Sequence, residues 1–216
     1  MKVFIFDMDG TFVDSMEYWN NLMTNYLKSK GVTPEENLMD DIVSLTLHDG
    51  IKYTKDRYEL RESAEEILDE MKALIGYNYK NTFNIDPATI EIFHHLKRAE
   101  KKVVLATATQ RSLVDIVLDR FDLRKYLDLE IVSDEVKLHK NDPQYFLDIG
   151  KHFGARGEEC SVIEDSLYAI QSANDAGMET VGIIAQTPPA HIEKIKELSV
   201  VSGNNLTEVK DYFLSR

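Results

Sequence analysis

The sequence predicts an α/β fold built on a doubly wound parallel sheet, with an all-helical block inserted near its start. Three observations carry this. The first is the run Lys2 to Phe6, short, apolar and rich in β-branched and aromatic residues, which breaks abruptly into Asp7-Met8-Asp9-Gly10-Thr11. The second is a stretch from Met16 to about Lys80 with helical periodicity and no strand signal. The third is regular alternation of short apolar runs with amphipathic stretches after Pro87, the pattern of a Rossmann-like sheet covered on both faces. Residues 1–15 and 86–216 therefore form a discontinuous α/β core, and residues 16–85 the helical insertion.

Each element has its own signal. Lys2 to Phe6 reads as a buried strand ending in a turn. In the helical block, Tyr18, Trp19, Leu22, Met23, Tyr26 and Leu27 recur at helical spacing until Gly31 and Pro34. Leu38 to Leu47 gives a second helix, expected to end near His48-Asp49-Gly50, and Ile51 to Tyr58 a third. Arg61 to Leu74 carries Ala64, Ile67, Leu68, Met71 and Leu74 on one face, with Glu62, Glu65, Glu66, Asp69 and Glu70 on a solvated one. The core resumes with a helix over Ala88 to Glu100 and a strand over Val103 to Ala106 that ends in Thr107-Ala108-Thr109. Leu113 to Phe121 is a helix, Leu129 to Val132 a strand ending in Ser133-Asp134, and Pro143 to Phe153 a helix. Cys160 to Ile163 is a strand ending in Glu164-Asp165-Ser166, and Tyr168 to Ala176 a helix stopped by Gly177. Thr180 to Ile184 is a strand, and Ile192 to Leu198 and Leu206 to Leu214 are helices.

Composition narrows the function. With 43% hydrophobic residues in 216, the chain has enough apolar material for a packed core, and no run long enough to span a membrane. Its net charge of −13 argues against nucleic acid and anionic membranes as partners. Any anionic substrate then needs local positive charge or a metal. One cysteine, Cys160, excludes an intramolecular disulfide framework, and strand pattern begins at once; both lead to the expectation of a cytoplasmic protein. Cys160 heads an apolar run and reads as a buried, inert thiol.

Parallel sheets of this kind bind ligands at the carboxyl ends of their strands. Here those ends carry Asp7 and Asp9, then Thr107, then Glu164 and Asp165. Two carboxylates two residues apart at a strand end converge and require a cation, or a proton on one of them. Asp and Gly are also ordinary turn residues, so the motif alone is weak. A calcium loop starting at Asp7 fails, because its glycine falls at position four and position twelve is Tyr18. Neither a G-x-x-x-x-G-K-[ST] nor a G-x-G-x-x-G phosphate loop occurs, and no Cys/His set has zinc spacing.

Four stations in order make a resemblance. The chain is similar to the haloacid dehalogenase-like hydrolases, in particular those with a helical cap inserted after the first motif, the group of β-phosphoglucomutase and phosphoglycolate phosphatase. The first motif is Asp7 to Thr11, followed by Asp14-Ser15; the second is Thr107 in VVLATAT; the third is Lys140 in KNDPQYF; the fourth is Glu164-Asp165 in SVIEDSLYAIQSANDAG. The resemblance covers essentially the whole chain. It departs at Asn141, where the family usually has proline. Lys137, three residues earlier, competes for the role of Lys140, but the Asp142-Pro143 and Phe146 that follow favour Lys140.

The resemblance implies a role for each residue. Asp7 would attack phosphorus to give an aspartyl-phosphate, and Asp9 would act as acid and then base. Mg²⁺ would be held by Asp7, the backbone carbonyl of Asp9, and Asp165, with Glu164 a ligand or a neighbour of the ligands. Thr107 and the Ala108 amide would bind phosphate oxygens, and Lys140 would offset charge on Asp7 and the transferring group. Ser166 reads either as support for the metal site or as a helix cap. Trp19 and Arg111 are further candidates for substrate contact, with a packing role for Trp19 and a surface role for Arg111 as alternatives, and Tyr18, His48, Arg57 and Tyr58 are plausible cap residues.

Within the family, the presence of Asp9 argues against a dehalogenase. A β-phosphoglucomutase carries a His early in its cap, where this chain has Trp19, and a cap Arg, for which Leu45-Thr46-Leu47-His48-Asp49 offers no counterpart. The expectation is thus a Mg²⁺-dependent phosphatase of a small phosphorylated metabolite, monomeric or weakly dimeric. A phosphosugar mutase is the alternative, and a phospho-acceptor or binding protein without turnover a more distant one.

Overall fold

The computed structural model describes residues 1–42, 47–132 and 135–216; side chains at 40, 47 and 48 are not described. The expectations for Leu45, Thr46 and the His48 side chain, and the Ser133-Asp134 end of the third strand, lie outside the described residues. The chain divides into two compact units, Met1–Asp14 with Phe83–Arg216, and Ser15–Thr82.

The first unit is α/β. Its strands are β1 (Val3–Phe6), β2 (Lys102–Thr107), β3 (Leu129–Val132), β4 (Cys160–Glu164), β5 (Glu179–Ile183) and β6 (Val201–Gly203). Among the described residues they form one sheet of order β3-β2-β1-β4-β5-β6, every pairing parallel. The order reverses between β1 and β4, so their carboxyl ends flank the crevice where such sheets bind ligands. β1 lies centrally, Ile5 level with Val104 of β2 and Val162 of β4.

Alternation along β1 feeds two cores. Val3 and Ile5 join Val104, Ala106 and Val162 beneath Tyr145, Phe146 and Ile149 of α8 (Pro143–His152) and Ala169 and Ala173 of α9 (Leu167–Asp175). Phe4 and Phe6 point to the other face. There Phe6 meets Phe93 of α6 (Ala88–Arg98) at 4.9 Å and Phe213 of α11 (Leu206–Leu214) at 5.6 Å between ring centroids. Two further helices, α7 (Arg111–Arg120) and α10 (Pro189–Leu198), complete the layers. Burial of these faces on both sides explains why the strands read as continuous apolar runs. The three-residue edge strand β6 was not expected from the sequence.

The chain leaves this unit after Asp14 and returns at Phe83, and the two passages pair. Val13 bridges Ile85, Asp14 donates its amide to the Asn84 carbonyl, and Asp86 donates to the Phe12 carbonyl.

The second unit, in its described residues, is helical: α1 (Met16–Asn20), α2 (Leu22–Ser29), α3 (Leu38–Ile42), α4 (Leu47–Arg57) and α5 (Ala64–Asn81). Leu22, Met23, Tyr26, Leu27, Leu38, Ile51, Ile67 and Met71 make its core. Three boundaries differ from the sequence reading. The first helix is broken at Asn21, whose side chain bonds back to the Glu17 carbonyl. The helix expected to start at Ile51 starts earlier and runs through Gly50, which is buried. The last helix begins at a capping box between Ser63 and Glu66 and continues past Leu74, burying Ile75 and Tyr79.

Candidate active site

β1 ends where its next residue must leave the sheet. The Asp7 amide still donates to the Ile163 carbonyl of β4, so Asp7 is tied to the neighbouring strand as the chain turns. The turn then winds tightly: Phe12 and Val13 both donate to the Met8 carbonyl, and Gly10 donates to the Val13 carbonyl with φ +77°. That dihedral is the left-handed region open to glycine. The consequence is that Asp7 and Asp9 are both nearly buried at the edge of the sheet.

Around Asp7 the strand ends supply partners. Lys140, only 6% exposed, donates to Asp7 Oδ1 at 2.5 Å and to Glu164 Oε1 at 2.7 Å. It sits two residues before Asp142, the N-cap that starts α8 by accepting from the Gln144 amide, with Pro143 in the first turn. Lys137 is exposed. Glu164 closes β4, and its Oε2 accepts the amides of Asp165 and Ser166, each at 2.7 Å. Asp165 follows, its Oδ1 accepting the Ser166 hydroxyl at 3.1 Å and its carbonyl the Thr187 hydroxyl at 3.1 Å. One oxygen from each of Asp7, Glu164 and Asp165 falls within 4.8 Å of the others.

Electrostatics follow from burial. Burial pushes Asp7 up to about 7; Lys140 opposes this, while Glu164 and Asp9 add to it. Burial, followed by the Glu164 and Asp7 charges, pushes Asp165 up to about 9. Glu164 behaves oppositely: burial disfavours its charge, but Lys140 and the backbone amides hold it below the usual carboxylate range. Lys140 is likewise disfavoured by burial and yet held well above an ordinary lysine by Asp7 and Glu164. Two carboxyls that retain protons near neutrality, set beside one that does not, are poised to exchange protons for a cation.

Thr107, at the end of β2, is buried with its hydroxyl accepting the Thr109 amide at 3.1 Å, while Ala108 between them is exposed. A cavity of about 550 Å³ opens beside them, lined by Thr107, Ala108, Lys140, Tyr145 and Tyr168 among others. Arg111, one turn on, is held by Glu135 through two bonds at 2.8 Å and by Glu130. Trp19 belongs to the helical unit, where its indole N–H donates to the Tyr79 hydroxyl at 3.0 Å. Both therefore have structural partners of their own.

Three contacts at the site went unassigned in the sequence. The Thr11 hydroxyl donates to Asp7 Oδ2 at 3.3 Å, the Thr109 hydroxyl to Asp9 Oδ2 at 2.6 Å, and Tyr145 lies close enough to Lys140 to feel its charge. Thr11 and Thr109 stood in plain view inside the motifs. Their partners are a matter of tertiary placement, to which spacing is blind.

Comparison with known proteins identifies the family. The family model for haloacid dehalogenase-like hydrolases matches residues 4–183. A phosphorylated carbohydrates phosphatase of Thermotoga maritima is 26% identical over 181 residues, 84% of each chain. Hexitol phosphatase B of Escherichia coli is 26% identical over 211 residues, 95% of this chain and 92% of the relative. A solved Thermotoga maritima structure, provisionally assigned as a β-phosphoglucomutase, superposes with a TM-score of 0.79 at 24% identity, covering 100% of this chain and 97% of the other. No described helix is long and apolar enough to cross a membrane. With five-sixths of its length matched by one family model, the chain belongs to the haloacid dehalogenase-like hydrolases.

Proposed function

We propose that this hydrolase is a cytoplasmic, Mg²⁺-dependent phosphatase of small phosphorylated metabolites, with sugar and polyol phosphates as the substrate class. The single observation that carries the reading is the buried bridge of Lys140 between Asp7 and Glu164, with Asp165 beside it. The named activities of the two relatives support the substrate class. We read the helical unit as the substrate-selecting insertion, and the chain as a monomer or weak dimer.

The donor set fits a hard divalent cation. All three side chains offer carboxylate oxygens, and Asp7 and Asp165 hold protons that a cation would displace. Asp7, Asp165 and the Asp9 carbonyl would hold it, and when bound it supplies positive charge to the phosphoryl oxygens. Both oxygens of Glu164 already accept hydrogen bonds, so its main task is to orient Lys140.

The chain's own residues then perform the transfer. An Asp7 carboxylate oxygen attacks phosphorus while the ester P–O bond breaks. The electron pair goes to the leaving oxygen, which takes a proton from Asp9. Thr107 and the Ala108 amide hold the phosphoryl oxygens, and Lys140 balances their charge. In the second half Asp9 takes a proton from water as that water attacks phosphorus. The bond to Asp7 breaks, the carboxylate returns and inorganic phosphate leaves.

The test is phosphate release from a panel of sugar and polyol phosphates and p-nitrophenyl phosphate, with Mg²⁺ and with EDTA, for wild type and Asp7→Asn. Metal-dependent release lost in the variant is the expected result. Isomerisation of a β-sugar phosphate without release would replace the phosphatase with a mutase. A stable phosphoryl-protein without turnover would overturn both.

A further inference from the structure

We propose that Thr109 is a positioning residue for Asp9, fixing the carboxylate rotation from which its proton reaches the leaving oxygen. The inference rests on the phosphatase reading above and assigns a residue to which that reading gives no part.

Asp9 stands just past the end of β1, its backbone bridged to Val13, one residue before Gly10. Thr109 reaches it from the turn between β2 and α7, a hundred positions along the chain, and its hydroxyl donates to Asp9 Oδ2 at 2.6 Å. Both residues are only 9% exposed. A hydroxyl–carboxyl bond of that length, shielded from water, is a short and well-formed one. Thr109 is itself fixed, because its amide donates to the Thr107 hydroxyl and its branched side chain is stiff at χ1. The second-motif turn thus clamps the first-motif carboxylate directly. A threonine whose hydroxyl served only its own turn would bond to local backbone rather than to a carboxylate a hundred residues away.

The chemistry supplies a discriminating readout. Sugar and polyol phosphates leave as alkoxides and require a proton in the transition state; p-nitrophenolate is a weak base and departs without one. For either substrate, kcat/KM reports the steps up to phosphoryl transfer to Asp7. Misplacement of Asp9 therefore slows alkyl phosphates selectively. Thr109→Val, nearly isosteric, is expected to lower kcat/KM by about 10²-fold on the alkyl phosphates that wild type hydrolyses. On p-nitrophenyl phosphate the loss is expected to stay within about threefold. Thr109→Ser, which keeps the hydroxyl, should recover most of the loss. On an Asp9→Asn background Thr109→Val should add nothing further.

Circular dichroism and the unfolding midpoint of each variant establish that it is folded. Equal losses on both substrate types, an unaffected Thr109→Val, or a Thr109→Ser as impaired as the valine variant would each overturn the inference while leaving the phosphatase reading standing. A Thr109→Val that fails to fold makes Thr109 a structural residue and overturns the inference, unless the serine variant folds and reproduces wild-type selectivity. Wild type inactive on every alkyl phosphate would overturn the reading and the inference together.

Discussion

Replacing Lys140 by methionine removes the cation from the site and leaves a side chain of similar girth. The cost follows from the geometry. Lys140 makes two hydrogen bonds to carboxylates, at 2.5 and 2.7 Å, and all three groups are almost fully buried. Charged hydrogen bonds contribute about 1.5–3 kcal/mol each, and breaking a buried ion pair from one side costs about 3–5 kcal/mol. The two figures agree. The loss should depend on pH, and its sign can be worked out. Asp7 already titrates at about 7 when folded, above its ordinary 3.8. Stability from a raised carboxyl is fully present below the unfolded value and is lost as pH rises through the folded one. Without Lys140 the folded value rises further, so the variant has more to lose at high pH. In metal-free buffer at pH 8.5 the full loss of about 3–5 kcal/mol is expected, lowering the urea midpoint by about 1.5–2.5 M. At pH 6 protonation of Asp7 should reduce the loss to about half or less. Far-UV circular dichroism is the suitable probe, since Trp19, the only tryptophan, reports on the helical unit. kcat/KM with Mg²⁺ should fall by about 10²–10³-fold. A midpoint that shifts equally at both pH values, or by less than about 0.3 M, would refute the picture of a desolvated, charge-balancing lysine.

Other outcomes are equally specific. Mg²⁺ binding, measured by calorimetry, should strengthen from pH 6 to pH 9, because the cation displaces protons from Asp7 and Asp165, held at about 7 and about 9; Asp165→Asn should flatten that dependence. Cys160 is fully buried and burial pushes its thiol up to about 11, so an aromatic disulfide reagent at pH 8 should find no thiol in the native protein and one per chain in denaturant. Gly157→Ala would bring a Cβ to 2.3 Å from the Ala176 carbonyl, a backbone atom that cannot swing aside, and should lower stability by about 1–3 kcal/mol in chemical unfolding.

The sheet was legible because burial on both faces writes each strand as an apolar run with an abrupt polar end. Those ends place Asp7, Thr107 and Glu164 at the same edge whatever the details of packing. β6 escaped because three residues, Val201 to Gly203, are too few to carry a period, and its place comes from pairing with β5. Gly50 misled for the opposite reason. Glycine weakens a helix locally, yet the helix Leu47–Arg57 runs through it, with Gly50 buried and Ile51 in the core of the helical unit. At the site, the resemblance favours Lys140 over Lys137 because Asp142-Pro143 and Phe146 follow it, and it is Lys140 that reaches Asp7 while Lys137 is exposed. The occupations of Arg111 by Glu130 and Glu135, of Trp19 by Tyr79 and of Thr109 by Asp9 could not be read, since each joins side chains by tertiary placement.

Charge balance explains why these groups must act together. Among the described residues, the candidate site sets Asp7, Asp9, Glu164 and Asp165 near one buried lysine, Lys140, which bonds to Asp7 and Glu164, in a chain whose net charge is −13. A phosphate dianion approaching that set meets repulsion at long range and at contact. Neutralising carboxyls with protons would admit it, and burial moves Asp7 and Asp165 partway there, but a protonated Asp7 is no nucleophile. A divalent cation would resolve the conflict, because it would favour the ionised carboxylates that the proposed chemistry needs and attract the dianion. Metal and phosphoryl group are then thermodynamically linked: each must raise the affinity of the other by the same factor. The buried lysine cannot replace the cation, since both carboxylates it touches already claim its charge. On the proposed reading the arrangement would therefore stay inert towards phosphate esters until a metal is bound, and the four carboxylates, ill suited by themselves to an anionic substrate, would be the reason it is received only together with a cation.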